Sequence, residues 1–151
     1  MKFAIVVSEF NQEIIQALLQ GALDRFAELN IHEENVSVFN VPGAVEIPLT
    51  AQLIARQNKH QAIICLSAVI RGETSHYDYV CEQVSAGCQR VMLDYSIPVI
   101  FGVLTTENED QARARVGGEH GHKGREAVDA AVAMVEVVKS LVGKNGKVIG
   151  F

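Results

Sequence analysis

Apolar residues fall along this chain in alternating blocks, some of strand length and some with the period of a helix. Phe3 to Val7 is a continuous apolar run. Residues 12 to 30 then carry Ile14, Ile15, Leu18, Leu19, Ala22, Leu23, Phe26 and Leu29 on one helical stripe. Asn11 is a good N-cap for that helix, and Phe10 with Ile15 has the spacing of a hydrophobic staple around it. Val36 to Val41 reads as a second strand, ended by Pro42-Gly43, and a helix over about 44–57 follows with Pro48 in its first turn. Residues 61 to 70 are almost wholly apolar, as expected of a strand covered on both faces. A helix over about 75–92, a fourth strand over 98–104 and a short helix opened by a Thr106/Glu109 capping box come next. A long final helix over 124–142 carries Ala127, Val128, Ala131, Val132, Val135 and Val138, and the polar tail 143–151 reads as loosely ordered.

This β-α alternation predicts one domain over residues 1–151 of the α/β class. The expected form is a three-layer α/β/α sandwich, flavodoxin-like, with a four-stranded parallel sheet and helices on both faces. Ligands of such sheets bind outside the carboxyl ends of the strands. The loops to inspect are therefore Ser8 to Asn11, Pro42 to Glu46, Arg71 to His76, and Thr105-Thr106.

Composition narrows the classes. The chain of 151 residues is 48% hydrophobic but only 6% aromatic, with no Trp, so Ala, Val, Ile and Leu build the core. A net charge of −5 gives no reason to expect nucleic acid or an anionic membrane surface. No apolar run approaches the roughly 20 residues of a membrane span, and no signal segment is evident, so a cytoplasmic location is expected. The three cysteines, Cys65, Cys81 and Cys88, lack metal-ligand spacing and read as buried free thiols.

The third loop holds the richest chemistry. Gly72 allows close backbone approach, and Thr74 and Ser75 bring hydroxyls and free N–H groups to a helix start, a natural phosphate site. His76 lies in the first turn, where the helix dipole favours the neutral imidazole able to accept a proton. The alternative is that Ser75 and Asp78 cap the helix and His76 is merely solvated. Arg71 suits an ion pair as well as ligand contact. Phe10 offers a flat face to a planar heterocycle, and Glu46 a carboxylate at a helix start. The segment from Arg113 to Gly124 contains His120 and His122, but without Cys or a His pair four apart on a helix it suits an anion better than a metal. His32 and His60 lie in surface-like connections and carry no assignment.

Taken together, Glu9-Phe10-Asn11, the segment Val41 to Pro48, the segment Val69 to Tyr79, the segment Pro98 to Asn108 and His122-Lys123-Gly124 resemble the lumazine synthase family, in order and spacing over almost the whole chain. The resemblance implies condensation of 5-amino-6-(D-ribitylamino)uracil with 3,4-dihydroxy-2-butanone 4-phosphate to 6,7-dimethyl-8-ribityllumazine, phosphate and water, without cofactor or metal. It implies His76 as the proton-transfer residue, and Phe10, Asn11, Ala44, Val45, Glu46, Ala68, Val69, Ile70 and Phe101 as pyrimidine- and ribityl-binding. Gly72, Glu73, Thr74, Arg115 and Lys123 would bind the butanone phosphate, with Phe101 and Arg115 supplied by a neighbouring subunit. A homopentamer is implied, with a sixty-subunit shell left open and riboflavin synthase as a candidate partner. Glu9 stands where the family often has a basic residue, Val45 where an aromatic is usual, and Ser67-Ala68 for a commoner Gly-Thr pair. A flavin-mononucleotide-binding module is disfavoured by the negative charge of Glu9 in the first loop. A receiver domain lacks its acidic pair after the first strand. A storage shell needs neither His76 nor Arg115.

Overall fold

A computed structural model describes residues 1–9 and 12–142; the expected cap and staple at Phe10 and Asn11 and the expected loose tail at 143–151 lie outside the described residues. The chain forms β1 (Phe3–Ser8), α1 (Gln12–Glu28), β2 (Val36–Val41), α2 (Ile47–Gln57), β3 (Ala62–Ile70), α3 (His76–Tyr95), β4 (Val99–Thr106), α4 (Glu109–Arg113), β5 (Val116–Gly118), β6 (Gly121–His122) and α5 (Lys123–Val142). The expected α/β/α sandwich is present: four parallel strands in the order β2-β1-β3-β4, with helices on both sides.

Two apolar clusters explain the layering. Alternate side chains of a strand point to opposite faces. Phe3, Ile5 and Val7 of β1 and Ile64 and Leu66 of β3 therefore meet Leu18, Ala22 and Phe26 of α1 and Val128, Ala131 and Val135 of α5. Ala4 and Val6 with Ile63 and Cys65 face the other way, onto Ile47, Ala51 and Ile54 of α2 and Val84, Cys88 and Val91 of α3. Every residue of β1 is buried, which is why its sequence shows a continuous run and no alternation. Each fully buried Ile, Leu or Phe here stabilises the fold by ~1.5–3 kcal/mol relative to exposure. Cys65 and Cys88 are buried and Cys81 is half-buried, with Cys65 Sγ and Cys88 Sγ 3.9 Å apart. The hydrogen bond with Cys88, together with burial, pushes the Cys65 thiol well above its usual range and keeps it protonated.

The order β2-β1-β3-β4 has a consequence for ligands. From β1 the chain crosses to β2 on one side, then returns past β1 to β3 on the other. Connections leaving β1 and β3 diverge there, so a crevice opens at the carboxyl ends of those strands. Ser8 and Ser67, both buried, share a 2.7 Å hydrogen bond across it.

Local boundaries differ from the sequence expectation at four places. Ala44–Glu46 forms a 3-10 turn, and α2 itself starts at Ile47, because Pro48 occupies an early helical position and donates no N–H. The third helix continues to Tyr95 and stops at Ser96 in the left-handed conformation, φ 50°. Strand β4 extends through Thr106, so Thr106 cannot cap α4. Its hydroxyl instead donates to the Asn108 carbonyl, and Asn108 is the cap, its side chain accepting from Gln111 N–H at 2.8 Å. Finally, the glycine-rich segment is a small antiparallel hairpin, β5 with β6. No described helix is long and apolar enough to cross a membrane.

Candidate active site

At the carboxyl end of β3, backbone and side chains enclose a cleft of about 540 Å³, within the usual range of small-molecule sites. Three segments line it. Pro42 to Glu46 forms one wall, Ser67 to Ile70 the floor, and Gly72, Thr74, His76, Tyr77 and Val80 the other wall. Of the residues expected at the site, Ala44, Val45, Glu46, Ala68, Val69, Ile70, Gly72, Thr74 and His76 are thus brought together. Glu73 is exposed on the same turn but does not line the cleft, and Phe10 and Asn11 lie outside the described residues.

Each wall follows from local sequence. Gly43 begins the 3-10 turn, and Glu46 N–H donates to its carbonyl at 3.3 Å. An ideal Cβ on Gly43 would stand 3.3 Å from Glu46 Oε2, so the carboxylate folds over a residue that has no side chain. On the other wall, His76 opens α3 and its N–H donates to Thr74 Oγ1 at 3.3 Å. Ser75 makes no side-chain cap bond, and the hydrogen bonds of Asp78 go to Arg71. The reading in which those two residues merely cap the helix finds no bonds to carry it.

Arg71 resolves toward structure. It donates to Glu107 Oε2 at 2.7 Å and to Asp78 Oδ1 at 3.2 Å, and its guanidinium lies 4.3 Å from the centroid of the Tyr77 ring. It ties Glu107, just after β4, to the first turn of α3. Burial raises the Tyr77 phenol above its usual range, with Cys81 adding to the shift, so it stays neutral. Sequence reasoning missed Tyr77, Val80 and Ser67 as lining residues. Val80 lies four positions after His76 and three after Tyr77, the spacings that put neighbours on one helical face.

Phe101, Arg115 and Lys123 are elsewhere. They line a second, smaller cleft of about 210 Å³ with Gly102 to Thr106, running along β4, an edge strand of the sheet. Phe101 is 42% exposed. Arg115 Nη1 donates to the Gln111 carbonyl at 2.8 Å, and no carboxylate lies within ion-pair distance of it among the described residues. Lys123 Nζ is 3.4 Å from Glu126 Oε2. One chain therefore carries the residues expected at the site in two separate clefts. Among the described residues no cluster of three or more His, Cys, Asp or Glu side chains is arranged to hold a metal ion.

Comparison with known proteins decides the family. Residues 1–139 match the sequence model of 6,7-dimethyl-8-ribityllumazine synthase. The chain belongs to the lumazine synthase family. Proteins named 6,7-dimethyl-8-ribityllumazine synthase from Coxiella burnetii, strains Dugway 5J108-111 and RSA 493 / Nine Mile phase I, are each 54% identical to it over 140 residues, covering 93% of both chains. As in the sequence comparison of motifs, the lumazine synthase likeness extends over all four strand-end loops and not over one motif alone.

Proposed function

We infer that this chain is a cytoplasmic enzyme of riboflavin biosynthesis that joins 5-amino-6-(D-ribitylamino)uracil to 3,4-dihydroxy-2-butanone 4-phosphate, releasing 6,7-dimethyl-8-ribityllumazine, phosphate and water. The observation that carries this reading is the cleft at the end of β3, where an apolar floor, a polar turn and His76 converge in a member of this family.

The roles follow from chemistry. Backbone groups of Ala68, Val69 and Ile70 bind the pyrimidine edge, and Ala44, Val45 and Glu46 hold the ribityl chain, the Glu46 carboxylate accepting from its hydroxyls. Gly72, Glu73 and Thr74 receive the phosphate at the start of α3, where open N–H groups and the helix dipole favour an anion. The pyrimidine's amine attacks the ketone and forms a Schiff base with loss of one water, phosphate leaves, and a second nitrogen closes the ring on the remaining carbonyl with loss of a second water. His76 moves protons in these steps, and holding two substrates together supplies much of the rate.

Phe101, Arg115 and Lys123 complete this site from a neighbouring subunit of a pentamer. Their separate position on edge strand β4 and at the two ends of hairpin β5–β6 supports that reading, since an exposed strand edge is open to a neighbour. So does the apolar stripe Val45, Leu49 and Leu53, respectively 40%, 62% and 51% exposed.

Purified protein mixed with the two substrates is expected to form the lumazine, followed by its absorbance. Arg115→Ala is expected to raise the KM for the butanone phosphate at least ~10-fold while changing that for the pyrimidine little, as loss of one charge-assisted contact requires. No turnover at saturating substrate would sink the enzyme reading. Equal losses for both substrates would remove the phosphate role of Arg115.

A further inference from the structure

The imidazole of His122 is held by three segments at once. At the end of β6 it precedes α5, and its Nδ1 accepts N–H bonds from Gly124 at 3.1 Å and Arg125 at 3.4 Å. An acceptor Nδ1 fixes the tautomer with the proton on Nε2. The ring then enters a notch in α1. A Cβ on Gly21 would overlap the His122 ring, standing 2.7 Å even from Nδ1. Glycine inside a helix costs roughly 0.5–1 kcal/mol relative to alanine, so the buried Gly21 is informative: the space of its missing side chain is the space the imidazole fills. Gly124 is equally confined, because a Cβ there would overlap the Leu18 carbonyl oxygen and come within 3.1 Å of His122 Cε1.

What the ring pins down is the hairpin whose two ends are flanked by the cations of the second cleft. Across it, Val116 pairs with His122, and Lys123 N–H donates to the Arg115 carbonyl at 2.8 Å. Arg115 and Lys123 thus stand immediately beside the two residues of that pair. The hairpin turns through two glycines in the left-handed region, Gly117 at φ 103° and Gly121 at φ 77°.

We propose that His122 is a positioning residue for anion binding: seated in the Gly21 notch and capping α5, it fixes the backbone from which Arg115 and Lys123 reach the phosphate of the substrate. The proposal rests on the phosphate role given to Arg115 and Lys123 above. His122 touches no substrate atom. It acts through the two cations by setting where their main chain stands.

The test compares His122→Ala, His122→Asn and Arg115→Ala in the assembled enzyme, measuring kcat, the KM of each substrate and thermal melting. His122→Ala is expected to raise the KM for the butanone phosphate about 10-fold, with kcat and the pyrimidine KM within about 2-fold. His122→Asn, whose side-chain oxygen also accepts N–H bonds at an N-cap, is expected to recover most of that loss. A lower melting temperature with both KM values unchanged would make His122 purely structural and overturn the proposal, as would equal rises in both. If Arg115→Ala leaves the butanone phosphate KM unchanged, the underlying phosphate assignment fails. If Arg115→Ala raises it and His122→Ala does not, His122 alone is misassigned.

Discussion

His60 lies at the amino ends of the strands, at the opposite end of the sheet from the cleft. Its ring meets Phe39 of β2 edge-on at 6.3 Å between centroids, and its Nε2 is 3.3 Å from Ser37 Oγ. The buried Nδ1 has no hydrogen-bond partner among the described residues. With the proton on Nε2 donated to Ser37, only a lone pair is left unsatisfied, whereas protonation would strand a buried donor. Burial depresses the His60 pKa below its ordinary value, and the charges of Lys2 and Lys59 depress it further. Its sign is definite. The unfolded chain takes up a proton near pH 6.5 and the folded chain only at lower pH, so the unfolded state binds more protons in that window and stability falls as pH falls through it. Melting temperatures measured from about pH 8 to about pH 5 should therefore decline more steeply for the native protein than for His60→Gln. A constant difference between the two across that range would show that His60 does not titrate in this way. Sequence assigned His60 nothing, because the ring it packs against, Phe39, is twenty-one positions away on β2 while His60 lies in the connection before β3. Arg71 was legible only as a choice between two roles, since its partners Asp78 and Glu107 come from separate elements.

Helices α2 and α3 meet through another missing side chain. A Cβ on Gly87, midway along α3, would stand 2.6 Å from Pro48 Cγ and 2.7 Å from Pro48 Cβ at the start of α2. The pyrrolidine ring cannot swing away as a flexible side chain would. Alanine favours a helix by ~1 kcal/mol over glycine, yet overpacking costs ~1–3 kcal/mol, and here the rigid contact makes the second effect the larger. Gly87→Ala is expected to be less stable in urea unfolding, by up to about 2 kcal/mol once the helix gain is subtracted; a rise in stability would mean that the two helices shift apart at little cost. Such a contact is invisible in a linear pattern, where Gly87 reads only as a weak point in a helix. The strands were more legible: β2 matched to the residue, its end marked by Pro42-Gly43, and β1 nearly so, because its continuous apolar run reports burial on both faces. Elements decided by tertiary partners were less so. The β5–β6 hairpin has almost no apolar residues to mark it, and the capping of α4 passed from Thr106 to Asn108 once β4 kept pairing with β3 as far as Thr106.

On the scale of the whole molecule, the separation between the two clefts makes a prediction that neither cleft makes alone. His76 faces the cleft at the end of β3, while Arg115 faces the one along β4. If each working site takes its first group from one subunit and its second from the next around a ring, then a His76→Ala subunit and an Arg115→Ala subunit each damage a different half of a site. Assembled separately, either variant has only damaged sites. Dissociated, mixed in equal amounts and reassembled, they generate four kinds of neighbour pair. In one of these the histidine comes from the Arg115→Ala chain and the arginine from the His76→Ala chain, so about a quarter of the sites become fully intact in a randomly mixed heterologous ring. Activity at butanone phosphate concentrations below its KM should then rise well above the mean of the two variants, toward about a quarter of the native value. A site contained within one chain has no such route: each subunit keeps its own lesion whatever its neighbour, and the mixture would show the plain average. The motif from Val69 to Tyr79 cannot make this distinction from its own residues, since it forms one wall of one cleft. The positions of Phe101 and Arg115 turn it into a question about subunits, and the mixing experiment answers it independently of whether five or sixty of them assemble.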